Sequence, residues 1–329
     1  MDGFFIVETI VKSFIVISVF ATLAGLGTYA ERKVLAYMQR RIGPSMVGPG
    51  GILQLVADMI KLFTKEDIIP QFANKPIFMI APIISAVGAF AALAVVPFFP
   101  EFTLFGRTIR PILADVGVGV LYVLGVGGVC VLSPLLAGLS SHNKYALIAA
   151  ARASMQLISF EVVTGLSLLS VIMMVGSLSL IDINSYQNTG LGGWLIFKQP
   201  LAFILFLISS FVETNRTPFC MTENETELIA GYGTEYSGMR WAMFFIGEYA
   251  NMITASFLVS LVFLGGFNPV WFLPGGLMIL LKVSFIFFLF LWTRAAWPHV
   301  RVDQLMGLCW KVLMPLAVLN ILITGLVLV

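Results

Sequence analysis

Charge is what this sequence has least of. Only 11% of its 329 residues are Asp, Glu, Lys or Arg, against 59% hydrophobic. A water-facing domain carries ~25% charged residues, so this chain lacks the polar side chains to cover a soluble surface. At ~20 apolar residues per span, its length holds roughly eight transmembrane helices with modest loops and no separate soluble domain. Histidine and cysteine are nearly as scarce. The two histidines, His142 and His299, are far apart in loops, whereas a transmembrane haem calls for histidines on facing helices. The three cysteines, Cys130, Cys220 and Cys309, stand singly, with no spacing for an iron–sulfur cluster, a structural zinc or a disulfide framework. They are expected to pack as small apolar residues. No glycine-rich phosphate loop, GxSxG elbow or HExxH pair occurs either. A net charge of +2 gives no footprint for nucleic acid.

What the sequence has is long apolar runs, at 13–30, 76–98, 116–137, 158–180, 194–212, 241–265, 276–293 and 309–328. Each is long enough to cross ~30 Å of hydrocarbon as a helix, and none alternates as a membrane barrel strand does. The expected fold is an all-α integral membrane protein, a single polytopic domain over 1–329 with eight spans. Asp2 and Glu8 stand ahead of the first run in place of a basic leader, so that run is expected to be a retained span. Lys and Arg concentrate in the loops after the first, third, fifth and seventh spans, among them Arg32, Arg40, Lys65, Lys144, Arg216, Arg240, Arg294 and Arg301. By the positive-inside rule those loops face the cytoplasm and both termini face out. Residues 52–63 put Gln54, Asp58 and Lys61 on one stripe of an otherwise apolar helix too short to cross. They predict an amphipathic interfacial helix behind a Gly/Pro hinge at 43–51, although an ordinary connecting helix has the same pattern.

In so uncharged a chain each ionisable position is informative. Glu161, Glu213, Glu248 and Lys282 fall within or at the end of spans, where an ionised group costs roughly 2.5–3.5 kcal/mol at a helix centre. Two readings compete: structural pairs, with an acid neutralised by Lys282 or Arg152, or a proton or ion path. Residues 213–240 read as an acidic cytoplasmic loop, in which Glu223, Glu225, Glu227 and Glu235 run against the basic bias of that side. Close carboxylates cannot all ionise at little cost, so the group is expected to exchange protons near neutral pH. Thr222 and Glu225 also fit a capping box, with Gly231 as the stop, but that accounts for one or two acids at most. Pro218 is expected to stiffen the start of the loop. On the same side stand Glu31, Arg32, Asp58, Arg294 and Asp303. A site apolar in its depth and charged at its mouth suits an amphiphile with a long tail and a small polar headgroup.

With these residues in hand, the chain resembles the family of membrane subunits that stand at the heel of respiratory complex I, the bacterial NADH:quinone oxidoreductase, and form its quinone chamber. The matching stretches run from Glu31–Arg40 with Arg41–Pro44, through Gln54–Lys61 and Lys65–Asp67, to Asn143–Leu147 with Gln156–Glu161. They continue with Arg216–Phe219, Glu223–Gly231, Glu235–Gly238, Glu248–Ala250 and Arg294–Met306, so they cover nearly the whole chain. The resemblance implies that Glu31, Arg32, Asp58, Arg294 and Asp303 line or support the quinone chamber. It also implies that Glu161, Glu213, Glu223, Glu225, Glu227, Glu235 and Glu248 carry a proton-linked path. Quinone is then a substrate and nothing is bound covalently; FMN and iron–sulfur clusters belong to partner subunits only. Implied partners are hydrophilic peripheral-arm subunits carrying the terminal iron–sulfur cluster, small and antiporter-like membrane subunits, and the lipid bilayer of a bacterial inner membrane. The isolated chain is expected to perform no bond chemistry. Two positions depart from the family pattern: Cys220 stands where an acid follows Arg-Thr-Pro-Phe, and His299 stands where Arg follows Pro298. Two alternatives are a stand-alone cation/proton carrier using Glu161, Glu248 and Lys282, and the equivalent subunit of a related complex with another electron donor.

Overall fold

The computed structural model describes residues 3–104, 107–109, 111–188, 190–216, 218–220, 230–269 and 273–328. It is helical throughout, save for a two-stranded antiparallel ribbon of β1 (Phe102–Leu104) and β2 (Arg107–Ile109), with Thr103 opposite Thr108. The helices are α1 (Gly3–Met38), α2 (Gln54–Thr64), α3 (Lys75–Leu93), α4 (Gly119–Ser140), α5 (Lys144–Val175), α6 (Leu180–Tyr186) and α7 (Leu195–Lys198). They continue with α8 (Pro200–Glu213), α9 (Gly238–Val262), α10 (Gly275–Ala296), α11 (Val302–Leu308) and α12 (Met314–Leu328). Among the described residues seven helical stretches are long and apolar enough to cross a membrane, with α11 and α12 counting as one across a π-helical turn at Cys309–Leu313.

The fifth expected span, 194–212, differs from the others. Pro200 lacks the N–H that would continue a helix, and Gln199 before it leaves helical geometry at φ −133°. The run therefore divides into one turn, α7, and the 14-residue α8, which at 1.5 Å per residue is ~21 Å long. The fourth span departs the other way. It begins at Lys144, not near 158, because Asn143 caps it by accepting the Tyr145 N–H at 3.0 Å, and Gly176 in the left-handed region (φ 79°) ends it. At 32 residues α5 is ~48 Å long, more than a ~30 Å hydrocarbon layer requires.

Helix α9 is the axis of the bundle, packing against α1, α2, α3, α6, α8 and α10. Its core is aromatic: Phe257 meets Phe98 edge-on at 5.5 Å, and Phe98 lies 4.4 Å from Phe20 of α1. Between lipid-solvated helices, close backbone approach replaces hydrophobic drive, and small residues permit it. A Cβ on Gly138 of α4 would lie 2.2 Å from Ala150 Cβ and 2.6 Å from Ala146 O of α5. Helix α2 contributes no buried residue and exposes Val56, Met59, Ile60 and Phe63 along an apolar face. Its Gln54–Thr64 span matches the 52–63 expectation within two residues at the start and one at the end.

Candidate functional site

The site is built where the last turns of α1 and α10 and the middle of α9 meet the segment that follows α8. Glu31, on α1, is 5% exposed and surrounded by donors. Arg216 Nη1 donates to its Oε2 at 3.1 Å and to Oε1 at 3.3 Å, the Tyr249 hydroxyl donates to Oε2 at 2.8 Å, and Arg294 Nη1 bonds to Oε1. The Arg216 guanidinium also lies 4.3 Å from the centre of the Tyr249 ring. Its Nη2 faces Glu248 Oε2 at 3.8 Å, and the Tyr232 hydroxyl donates to Glu248 Oε1 at 3.4 Å. Two carboxylates are thus set against two guanidinium groups, which neutralises the cluster in a low-dielectric interior. Arg216 Nε and Nη2 have no hydrogen-bond partner among the described residues, so its hydrogen bonds go to Glu31 while Glu248 is reached through the longer ion pair.

Glu248 also belongs to a second feature, a cavity of about 130 Å³ between α3, α4, α5, α8 and α9. Glu161, Glu213 and Glu248 all line it, with Asn215, Asn251, Thr164 and Cys130. Thr164 Oγ1 donates to Glu213 Oε1 at 2.6 Å. The Glu161 carboxylate lies against the bare backbone of α4, where a Cβ on Gly128 would stand 3.1 Å from Glu161 Oε1. A cavity of this volume with convergent polar groups is roomy and polar enough for several waters. Its carboxylates and hydroxyls can accept and pass protons, and Arg216 ties one of its walls to Glu31.

The remaining candidates are distributed elsewhere. Arg32, next to Glu31 in sequence but turned about 100° away on the helix, pairs with Asp58 of α2 at 2.7 Å, and Gln54 donates to the other Asp58 oxygen at 3.1 Å. This pair is solvent-facing, with the Arg32 side chain 51% exposed. Asp303 is exposed in the first turn of α11 and has no hydrogen bond or ion pair to Glu31 or Arg216 among the described residues. Glu235 accepts from Asn143 Nδ2 at 2.9 Å in a separate surface recess with His142 and Lys144. Its neighbour Tyr236 stacks on Phe78 at 4.0 Å, and burial raises its hydroxyl to about 12 while Ser140 and Arg240 oppose the rise. Glu223, Glu225 and Glu227, with the Thr222 cap, lie outside the described residues.

Among the described residues Lys282 pairs with no acid, contrary to the structural-pair expectation for it. Its Nζ donates to the Gly266 carbonyl at 2.9 Å and lies 4.4 Å from the centre of the Trp194 ring, away from the cavity. Cys220 and Cys309 are buried, as small apolar residues would be, whereas Cys130 is half-buried on the cavity wall. The two positions that depart from the family pattern touch, since His299 Nε2 contacts the Cys220 backbone oxygen. Arg216, Tyr249, Tyr232 and Thr164 were not singled out as site residues by sequence reasoning. For Arg216 a signal existed: a cation three residues after Glu213 at the end of an otherwise apolar run.

Similarity to known proteins extends over nearly the full length. A family model described as NADH dehydrogenase matches residues 11–325. The chain is 73% identical over 326 residues to the H subunit of NADH-quinone oxidoreductase from Campylobacter curvus, covering 99% of this chain and 98% of that one. It is 66% identical over 325 residues to the protein of that name from Wolinella succinogenes and 64% identical over 327 residues to that from a Nitratiruptor species, with 99% of each chain covered in both cases.

Proposed function

The chain belongs to the NADH dehydrogenase family, and from that premise we propose that it is the quinone-chamber subunit in the membrane part of an NADH:quinone oxidoreductase. It holds the quinone headgroup within reach of a partner's terminal iron–sulfur cluster and performs no bond chemistry itself. FMN and the clusters reside in hydrophilic partners, and small and antiporter-like membrane subunits adjoin it. The complex sits in a bacterial inner membrane, with the basic inner loops and the acidic 213–240 loop cytoplasmic and both termini outside. The apolar face of α2 lies at the interface beside the chamber, where a quinone tail enters.

One observation carries the coupling half of this reading. Arg216 bonds to Glu31 and faces Glu248, and Glu248 shares a cavity with Glu161 and Glu213. A negative charge appearing near Glu31 when quinone is reduced competes for Arg216 and Arg294. Any shift of Arg216 changes the field on Glu248, and protons redistribute among the cavity carboxylates. Asp303, Glu223, Glu225, Glu227 and Glu235 extend the charged mouth and the loop end of the path.

The test replaces Glu161 or Glu248 by Gln in the assembled complex. Coupled quinone reduction and proton pumping are expected to fall, while NADH oxidation by a hydrophilic artificial acceptor on the peripheral arm stays intact. Wild-type coupled turnover in both variants removes the proton-path assignment. A carrier working alone would instead show proton flux in liposomes containing only this chain. The placement of Lys282 on Gly266, outside the cavity, speaks against the Glu161–Glu248–Lys282 route that a carrier requires.

A further inference from the structure

Helix α8 stops at Glu213 after ~21 Å, short of a ~30 Å hydrocarbon layer. The chain then turns through Asn215, a non-glycine residue in the left-handed region at φ 49°, with Thr214 and Arg216 buried on either side. Buried non-helical backbone needs donors from the protein to satisfy its carbonyls. One side chain supplies two of them. Gln156 of α5, 1% exposed, donates from Nε2 to the Val212 carbonyl at 3.0 Å and to the Phe219 carbonyl at 2.9 Å. The two hydrogens of its amide nitrogen are directed at these carbonyls, and a longer contact of 3.5 Å runs from the same nitrogen to Asn215 Oδ1 within the turn. Two carbonyl acceptors also fix the orientation of the amide, because its oxygen could not take the nitrogen's place. Gln156 Oε1 has no hydrogen-bond partner among the described residues, so the nitrogen alone anchors the group.

The two carbonyls lie on either side of the turn that carries Glu213 and Arg216. The far side of the segment is held as well, with the Val300 N–H donating to the Pro218 carbonyl at 3.1 Å. Gln156 shares α5 with Glu161 and Thr164, which face the cavity. A single amide therefore ties the helix bearing Glu161 to both ends of the turn that places Arg216 against Glu31.

We propose that Gln156 is a positioning residue for quinone-coupled turnover: by bridging the Val212 and Phe219 carbonyls it holds Arg216 between Glu31 and Glu248. This rests on the functional reading above. Shape alone does not reproduce the effect, since Met fills the same volume and donates nothing. In Gln156→Glu the carboxylate likewise lacks the two donors.

The experiment uses the whole complex in native membranes, with its amount set by NADH oxidation through a hydrophilic acceptor. Gln156→Met is expected to lower quinone reductase kcat about tenfold, the effect of losing two hydrogen bonds, and Gln156→Glu to do the same. Should Gln156→Met fail to accumulate, Gln156→Glu carries the test. The discriminating readout is a double-mutant cycle with Arg216→Met. If Gln156 acts through Arg216, adding Gln156→Met to Arg216→Met lowers the rate by less than twofold. A full tenfold additional loss, or wild-type kcat in the single variants, overturns the proposal. Failure of the proton-path reading looks different: Glu161→Gln and Glu248→Gln retain coupled turnover while the Gln156–Arg216 non-additivity persists.

Discussion

Tyr249 supports one ion pair from both of its ends: its ring lies under the Arg216 guanidinium at 4.3 Å, and its hydroxyl donates to Glu31 Oε2 at 2.8 Å. The two ends separate experimentally. Tyr249→Phe keeps the ring and removes a hydrogen bond to a charged acceptor, worth ~1.5–3 kcal/mol. If the full effect reaches the rate-limiting state, quinone reductase activity falls between about 10-fold and 160-fold. Tyr249→Leu loses the cation–π contact as well and falls further. Steady-state quinone reduction per assembled complex measures both, and a Phe variant at wild-type rate shows that the hydroxyl plays no part.

The pair is invisible in the sequence for a physical reason. Helix α2 was legible to within two residues because its amphipathic stripe is a local pattern. Glu161, Glu213 and Glu248 were legible as a group because a carboxylate within a span needs a reason, and they line one cavity. Arg216 and Tyr249 were not, since their role is tertiary: Glu31 and Arg216 lie 185 residues apart in sequence. The interruption of the fifth span was concealed differently. Hydropathy averages over a window, and the apolar run 194–212 hides the backbone break that Pro200 imposes.

Removing one member of a buried charge pair leaves its partner uncompensated, at ~3–5 kcal/mol, whereas removing both costs far less. Arg216→Met leaves Glu31 with Arg294 but takes from Glu248 the guanidinium at 3.8 Å. Less assembled complex is therefore expected from Arg216→Met than from the double variant Arg216→Met/Glu248→Gln, although neither turns over normally. Native gels of solubilised membranes give the comparison. Equal assembly in the two would mean that Glu248 does not depend on Arg216 for its charge balance.

The exposed pair Arg32–Asp58 is expected to behave in the opposite way. With the Arg32 side chain 51% exposed, solvent and salt screen the interaction, and such pairs contribute ~0–1 kcal/mol. Asp58→Asn is expected to leave the thermal stability of the complex within about two degrees of wild type. Any effect belongs in the KM for quinone, through the chamber mouth. A destabilisation as large as that of Arg216→Met would contradict the exposure argument.

Glycines on α4 offer a paired test of where the Glu161 carboxylate sits. A Cβ at Gly128 would stand 3.1 Å from Glu161 Oε1, tighter than ordinary contact, while one at Gly125 would meet nothing within 4 Å. Both substitutions favour the helix by roughly 0.5–1 kcal/mol, so neither is expected to impair folding. Gly128→Ala pushes the carboxylate out of its notch and is expected to lower coupled turnover several-fold; Gly125→Ala is expected to match wild type. Pumping measured beside quinone reduction checks both, and equal behaviour of the two alanines would place the Glu161 carboxylate elsewhere.

Lys282 separates structural from functional charge at the other end of the bundle. The residue is 7% exposed, and its ammonium donates to the Gly266 carbonyl at 2.9 Å and rests on Trp194. The turn it reaches is tightly built, with Gly265 and Gly266 both at positive φ, and Gly265 N–H donating to Gln187 Oε1 at 2.9 Å. Lys282→Met preserves most of the stem volume but strands the carbonyl, a loss of ~1–3 kcal/mol. The expected outcome is a complex that inactivates a few degrees sooner on heating yet reduces quinone and pumps normally per assembled enzyme at room temperature. If Lys282→Met instead abolishes proton movement without lowering thermal stability, the ammonium is part of an ion route, and the assignment of the path to the carboxylates of the α5–α8–α9 cavity has to be redrawn through α10.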